Sequence, residues 1–344
     1  MVNRVALKEI HSLGTSVDDW RPARKFPETY PGVSADWSYL LWRDRVLPIT
    51  TGEDGEYLVT LGSSDLPLEE LLGELHLPGL SQRFPVLAYG ANRNPSTLHT
   101  KLLNYSLTND GSSGHCLPVL KGHMRGADVA ACRLHGQGYL YGEILLGHSL
   151  CKNVELEVYI CLVDLEQLAV LNRSEGVGEG MYELAVIPEV RVDGSPEPFC
   201  TLGYAANQSV WLSPVHDTPV AYSLLPATGR TLPSMTSREM VDHVMDSTGL
   251  RGRISSLTAL KNDVGLAEEV AKYLNGQWWY QFHTGQPPIR GYSQLLELLN
   301  SGMSAYSAQS RTLDSLRANG LVLSHKNAYA PGREHLWKSR DRAV

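Results

Sequence analysis

Residues 171–182 read LNRSEGVGEGMY. One carboxylate, Glu175, stands among three glycines, Gly176, Gly178 and Gly180, and Tyr182 closes the run. Upstream, Asp164 is placed to cap a brief helix, LEQLAVL, which delivers the chain to Glu175. Downstream, residues 182–192 (YELAVIPEVRV) read as a strand interrupted by Pro188. Glycines permit positive φ and close backbone approach to a ligand. A carboxylate beside such a loop can shuttle protons if it faces a pocket. Taken alone, a surface turn with one solvated glutamate is the plainer reading, so the rest of the chain has to decide.

The clearest start of a compact unit is residues 84–103, FPVLAYGANRNPSTLHTKLL. Val86 to Tyr89 predict a short buried strand, and Gly90-Ala91-Asn92-Arg93 turns the chain. Asn94 followed by Pro95 predicts an N-cap and first helical residue, with Leu98, Leu102 and Leu103 facing the core. Helix starts carry spare backbone N–H groups that bind carboxylates and phosphates. No GxxxxGK[ST] motif is present, so this is not a P-loop.

Further strands are expected at 138–145, 155–163 and 199–205, and residues 105–117 read as a polar loop. Before residue 84 the pattern is harder to classify. Trp37, Tyr39, Leu40, Leu41, Trp42, Val46 and Leu47 form an apolar cluster, and Asp65 is placed to cap a helix ending near His76. Beyond about 215 the character turns helical, at 237–245, 265–279, 293–299 and 313–318. Trp278, Trp279 and Tyr280 cluster on one of these helices, and residues 312–332 read as a packing appendage. The resulting division is an N-terminal extension over 1–83, a core domain over 84–215 and a mostly helical region over 216–344. Many strands with few intervening helices imply an α+β fold.

Composition narrows the function classes. The 344 residues are 42% hydrophobic and 19% charged, which suits a folded chain with a substantial core. A net charge of −7 with no long basic run does not support general nucleic-acid binding. No secretory h-region and no membrane-length apolar run is present, so a cytoplasmic protein without membrane contact is expected. Five cysteines without a CxxC read as reduced, buried thiols. GVGEG precedes a strand instead of opening a helix, so it is no dinucleotide fingerprint, and neither HExxH nor GxSxG occurs.

Two segments taken together are more informative: Leu87-Ala88-Tyr89-Gly90-Ala91-Asn92, then residues 163–177 leading through Gly180 and Met181 to Tyr182. Over about residues 84–206 the chain resembles the γ-glutamylcyclotransferase-like superfamily. Its signature is a strand-borne YGSN turn, a later helix with an LDxxEG loop, and GxY entering a strand. The resemblance implies a small mixed β-barrel with flanking helices and a pocket at one barrel edge. It also implies cleavage of a small-molecule γ-glutamyl amine or peptide by internal cyclisation, releasing 5-oxoproline, with no metal or organic cofactor. On that basis Glu175 matches the catalytic carboxylate. Tyr89, Gly90, Ala91 and Asn92 match the turn that holds the γ-glutamyl group, and Tyr182 the tyrosine lining the site. Three positions depart from the pattern. Ala91 replaces the serine of the turn, Arg93 follows where an apolar residue is usual, and Asn172 replaces the aspartate of LDxxEG. Arg93 is expected to meet an anionic part of the substrate or to point to solvent. The alternative reading keeps the same domain as a catalytically inactive binding module, with the C-terminal helical region recognising a partner.

Overall fold

The computed structural model describes residues 13–104, 116–134, 138–146, 149–176, 182–195, 198–206, 210–213, 215–216, 218–248 and 250–252. In chain order the strands are β1 (Thr15–Ser16), β2 (Ser38–Trp42), β3 (Arg45–Thr51), β4 (Tyr57–Leu61), β5 (Ser64–Pro67), β6 (Phe84–Ala88), β7 (Cys116–Arg125), β8 (Ala127–Leu134) and β9 (Leu140–Leu146). They continue with β10 (Glu155–Val163), β11 (Tyr182–Val192), β12 (Phe199–Ala206) and five two-residue strands, β13 (Leu212–Ser213), β14 (Thr218–Pro219), β15 (Ala221–Tyr222), β16 (Ala227–Thr228) and β17 (Ser234–Met235). The α-helices among the described residues are α1 (Leu68–Glu74), α2 (Pro95–Asn104), α3 (Leu165–Ser174) and α4 (Ser237–Thr248).

The main sheet runs β16-β10-β6-β12-β11-β7-β2-β3-β4-β5, with β1 on β3 and a further pairing of β10 with β7. It is mixed, because β12 runs parallel to β6 while the other pairs in it are antiparallel. A smaller sheet, β17-β15-β8-β9, packs beside it. The α+β expectation is met at this level, a mixed sheet of many strands with four α-helices among the described residues.

Both faces of the main sheet are covered, and the side-chain alternation shows it. In β10, Leu156, Val158, Ile160 and Leu162 enter one cluster, whereas Tyr159, Cys161 and Val163 enter another. The first cluster also takes Leu68, Leu71 and Leu72 of α1 and Met240, Val241 and Val244 of α4. The second takes Leu98 and Leu102 of α2 with Leu168 and Leu171 of α3. The same division explains residues 38–42, where Leu40 and Trp42 face one cluster and Tyr39 and Leu41 the other. A strand buried on both faces loses its polar alternation and reads as an unclassified apolar run. Residues 38–67 form four strands that continue the sheet through β2 pairing with β7.

Three expectations change. Asp65 lies in β5 and accepts from Thr60 Oγ1 at 2.8 Å, so it does not cap the following helix. Pairing with β4 holds the chain extended to Pro67, and the helix starts at Leu68. Leu103 is 50% exposed, because Leu98 and Leu102 already fill the buried stripe of α2. The reading of 105–117 as a loop overlaps β7, which begins at Cys116. Pro118 and Gly122 disguise that strand. Gly122 is required there, since a Cβ would sit 2.1 Å from the Arg191 carbonyl oxygen of β11. The helices expected at 265–279, 293–299 and 313–318, the 278–280 aromatics and the 312–332 appendage lie outside the described residues.

Buried polar groups tie the elements together. Arg83, fully buried, donates to the carbonyls of Pro78 (3.0 Å), Leu162 (3.0 Å) and Cys116 (3.4 Å) and to Gln167 Oε1 (3.2 Å). Gln167 in turn donates to Cys116 O at 2.9 Å. Elsewhere Arg230 grips the buried Asp128 with two bonds of 2.8 Å and donates to Tyr222 O and Leu225 O, fastening residues 221–230 to β8. Cutting one partner from a buried charged network costs about 3–5 kcal/mol. Arg83→Met keeps the aliphatic stem and strands the carbonyls. It is expected to lower unfolding free energy by about 3 kcal/mol or more, read as a lower urea midpoint at unchanged slope.

Candidate functional site

The site is assembled from the ends of two helices. Helix α3 starts where Asp164 Oδ1 accepts from the Gln167 amide at 2.8 Å and Gln167 Oε1 accepts from the Asp164 amide at 3.1 Å, a reciprocal capping box. It ends with Glu175 at the C-cap (φ −92°, ψ 0°), its amide donating to Leu171 O at 3.0 Å. Gly176 follows at φ +65°, the left-handed conformation that stops a helix and that glycine adopts freely. The Glu-Gly pair of the sequence is therefore a helix terminator that leaves the carboxylate at the last turn.

Helix α2 supplies the other half. Asn94 Oδ1 accepts from the Thr97 amide at 2.8 Å, and Pro95 opens the helix, as the sequence predicts. Asn94 also donates through Nδ2 to the carbonyls of Val33 (2.7 Å) and Arg21 (3.2 Å), which straps residues 21–33 over the helix start. The turn before it, residues 91–93, is a single 3-10 turn in which Arg93 and Asn94 amides return to Gly90 and Ala91 carbonyls. The amides of Ala91 and Asn92 have no protein acceptor among the described residues.

At the centre, Asn92 Nδ2 donates to Glu175 Oε1 at 2.8 Å. Lys101, one turn beyond Leu98 on α2, donates to the same Glu175 oxygen and to Asn92 Oδ1 at 2.8 Å. The three side chains close a triangle. Glu175 and Lys101 are 15% and 19% exposed, so the ion pair is largely sheltered yet open on one side. Both donors converge on Oε1, and among the described residues none donates to Oε2. A carboxylate at a helix C-terminus meets the negative end of the dipole, and the Lys101 ammonium offsets that cost.

Tyrosines wall the triangle. Burial, with a further push from the Glu175 carboxylate, raises the hydroxyls of Tyr30, Tyr89, Tyr139, Tyr182 and Tyr204 above the ordinary phenol value. They stay neutral, each able to donate one hydrogen bond. Tyr89 donates to Tyr204 O, and Tyr204 donates to Asn172 Oδ1 at 2.9 Å. Tyr182 meets Tyr141 edge-on at 6.2 Å between centroids, and Tyr141 meets Tyr139 likewise at 6.3 Å.

Among the predicted residues, then, Asn92 meets Glu175 directly, Tyr89 and Tyr182 lie within its electrostatic reach, and Gly90 and Ala91 flank Asn92 in the turn. Arg93 does not point to solvent. Its guanidinium pairs with Glu157 of β10, donates to Ser34 Oγ at 2.6 Å and lies 4.8 Å over the Tyr159 ring. Lys101, Tyr30, Tyr139, Tyr141 and Tyr204 were not singled out from the sequence. Lys101 carried a signal, as a cation on the 94/98/101/102 face that otherwise packs inward. Cys116, Cys151 and Cys161 are buried thiols pushed up to about 12 by burial, which makes them poor nucleophiles. Among the described residues no cluster of His, Cys, Asp or Glu forms a metal-binding group, and no helix is long and apolar enough to cross a membrane. No family model matches the chain, and no curated protein matches it significantly.

The cap of α3 has a pH signature. Burial raises the Asp164 carboxyl above its ordinary value, against the Gln167 amide and Arg83, which lower it, and its Oδ2 is buried without a hydrogen-bond partner. A folded-state pKa above the unfolded one means that Asp164 subtracts stability as pH rises through that interval, and the loss is complete above the folded value. Asp164→Asn keeps a capping oxygen and removes the charge. The stability difference between Asp164→Asn and wild type is expected to shrink as pH falls through the folded pKa. Asp164→Ala, without a cap, should lose about 1–2 kcal/mol at neutral pH. Urea titrations at a series of pH values check both.

Proposed function

We propose that this chain is a γ-glutamyl amide cyclotransferase of the γ-glutamylcyclotransferase-like type, with Glu175 as general acid/base. The observation that carries the reading is the 2.8 Å bond between Asn92 of the YGAN turn and Glu175 of the EG loop, 83 residues apart in sequence. Two segments chosen for their combined resemblance meet side chain to side chain. The sheet is compatible with the implied barrel, since β10 pairs with both β6 and β7 and β6-β12-β11-β7 links them.

The substrate brings its own nucleophile. Its α-amine attacks its own γ-carbonyl carbon, a C–N bond forms, and a five-membered tetrahedral intermediate results. Collapse expels the original amine and leaves 5-oxoproline. Holding the chain folded back makes the attack intramolecular, and orientation alone can lower the barrier by about 7–11 kcal/mol. Glu175 relays two protons in turn: it takes one from the ammonium and gives it to the leaving nitrogen, then takes the second from the ring nitrogen as the intermediate collapses and passes it to the freed amine. Because Lys101 and Asn92 occupy Oε1, Oε2 is the atom available for that exchange. The Ala91 and Asn92 amides are donors for the oxyanion or the α-carboxylate. Replacement of the usual serine by Ala91 leaves such backbone contacts in place.

Glu175→Gln retains size and one hydrogen-bond acceptor but cannot shuttle protons. Against a panel of γ-glutamyl amines, with 5-oxoproline followed by mass spectrometry, it is expected to lose about 10²–10⁴-fold in rate. An unchanged rate rejects the mechanism. One observation favours a second reading, a non-catalytic binding module. The Lys101 ammonium sits on Glu175 where a substrate ammonium would also be drawn. Wild-type silence across the panel selects that reading.

A further inference from the structure

Tyr30 belongs to the segment before residue 84, outside the stretch that carries the resemblance, yet its hydroxyl lies at the site. A Cβ built on Gly90 would fall 3.0 Å from Tyr30 Oη, and one on Gly142 would fall 3.1 Å from it. Two glycines, one just beyond β6 and one within β9, thus make room for one hydroxyl group. The Gly142 amide donates to that oxygen at 2.8 Å. The hydroxyl proton has no acceptor among the described residues, although the side chain is only 4% exposed. The ring is clamped, stacked on Tyr139 at 4.8 Å and tilted against Tyr222 at 5.0 Å. The flanking backbone is pinned to the same turn by Asn94 on Val33 O and Arg93 on Ser34 Oγ. A buried, oriented donor without an acceptor is a costly arrangement unless a ligand supplies one.

We propose that Tyr30 is a substrate-binding residue of the Glu175 site, its hydroxyl donating to the α-carboxylate of the γ-glutamyl group beside the Gly90–Asn92 turn. The proposal rests on the γ-glutamyl reading of that site. It makes the N-terminal segment part of the binding pocket. The Gly142 amide polarises the hydroxyl and strengthens it as a donor, and the stacked ring holds it in place before the ligand arrives.

Tyr30→Phe preserves both ring contacts and removes only the hydroxyl. It is expected to raise KM by about 10- to 100-fold, the value of one hydrogen bond to a charged group, while kcat stays within about threefold. A substrate whose α-carboxylate is converted to a carboxamide should lose affinity for the wild type and lose little more for Tyr30→Phe. If KM is unchanged in Tyr30→Phe while Glu175→Gln is inactive, the Tyr30 assignment is overturned and the catalytic reading stands. If the wild type releases no 5-oxoproline from any γ-glutamyl amine, the catalytic reading fails and calorimetric titration with 5-oxoproline decides. Weaker binding by Tyr30→Phe then supports Tyr30, and equal binding, or none to the wild type, overturns it. Should Tyr30→Phe fail to fold, Gly90→Ala displaces the hydroxyl without deleting it. A raised KM, or weaker 5-oxoproline binding if the wild type is inactive, supports the proposal, and no change in either overturns it.

Discussion

The burial of Arg83 constrains the arrangement around it. A guanidinium removed from water needs acceptors, and the Pro78 carbonyl takes Nε while the Cys116 and Leu162 carbonyls with Gln167 take Nη1, leaving Nη2 buried without a partner. Those acceptors come from the segment leading to β6, the first residue of β7, the end of β10 and the first turn of α3. Those bonds to Nε and Nη1 therefore tie the convergence of three strands to the start of a helix. Ten helical residues then rise about 15 Å and place Glu175 at the far end. The carboxylate is located by packing and hydrogen bonds at the opposite terminus of its helix, which explains why a short, glycine-flanked loop can position it.

At that far end the geometry is closed by mutual constraint. Lys101 needs acceptors and finds Asn92 Oδ1 and Glu175 Oε1. Once Oδ1 of Asn92 is committed to the ammonium, its NH₂ group faces Glu175, so the network sets the amide orientation. An aspartate at position 92 would lose the donor, and a leucine would leave both charges with one partner fewer. Asn172, three residues before Glu175 on α3, accepts from Tyr204. A neutral amide serves that role without placing a second carboxylate beside Glu175 in a sheltered site, where like charges repel strongly.

What could be read from the sequence follows from how local each feature is. The caps at Asn94 and Asp164, the strands at 155–163 and 182–192 and the Pro188 interruption are set by neighbouring residues, and they stand where their residue types place them. Strands β2 to β4 and β7 were hidden because their identity is tertiary. Two-sided burial erased the alternation in Tyr39 to Trp42, and Pro118 and Gly122 look like breakers until β2 and β11 are beside them. The site divides in the same way. Glu175 and the Tyr89–Asn92 turn announce themselves as a glycine-flanked acid and a strand-to-helix turn. Tyr30 sits in an unremarkable Pro-Glu-Thr-Tyr-Pro stretch, and only the approach of Gly90 and Gly142 gives it meaning.

Arg93 shows how the fold absorbs a charged side chain next to the 90–92 turn. At that position the side chain leaves the turn toward β10, where Glu157 takes its charge and the Tyr159 ring takes its flat face. Lys121 reaches the other oxygen of Glu157 at 3.0 Å, so the half-buried acid is held by two cations. Such a pair is worth little as net stability, because desolvation offsets most of the attraction. Its effect is directional. The Arg93 bond to Ser34 and the Asn94 bond to Val33 draw the N-terminal segment down onto the turn, and that segment carries Tyr30. An arginine in the 90–93 turn thereby helps hold Tyr30 beside Gly90.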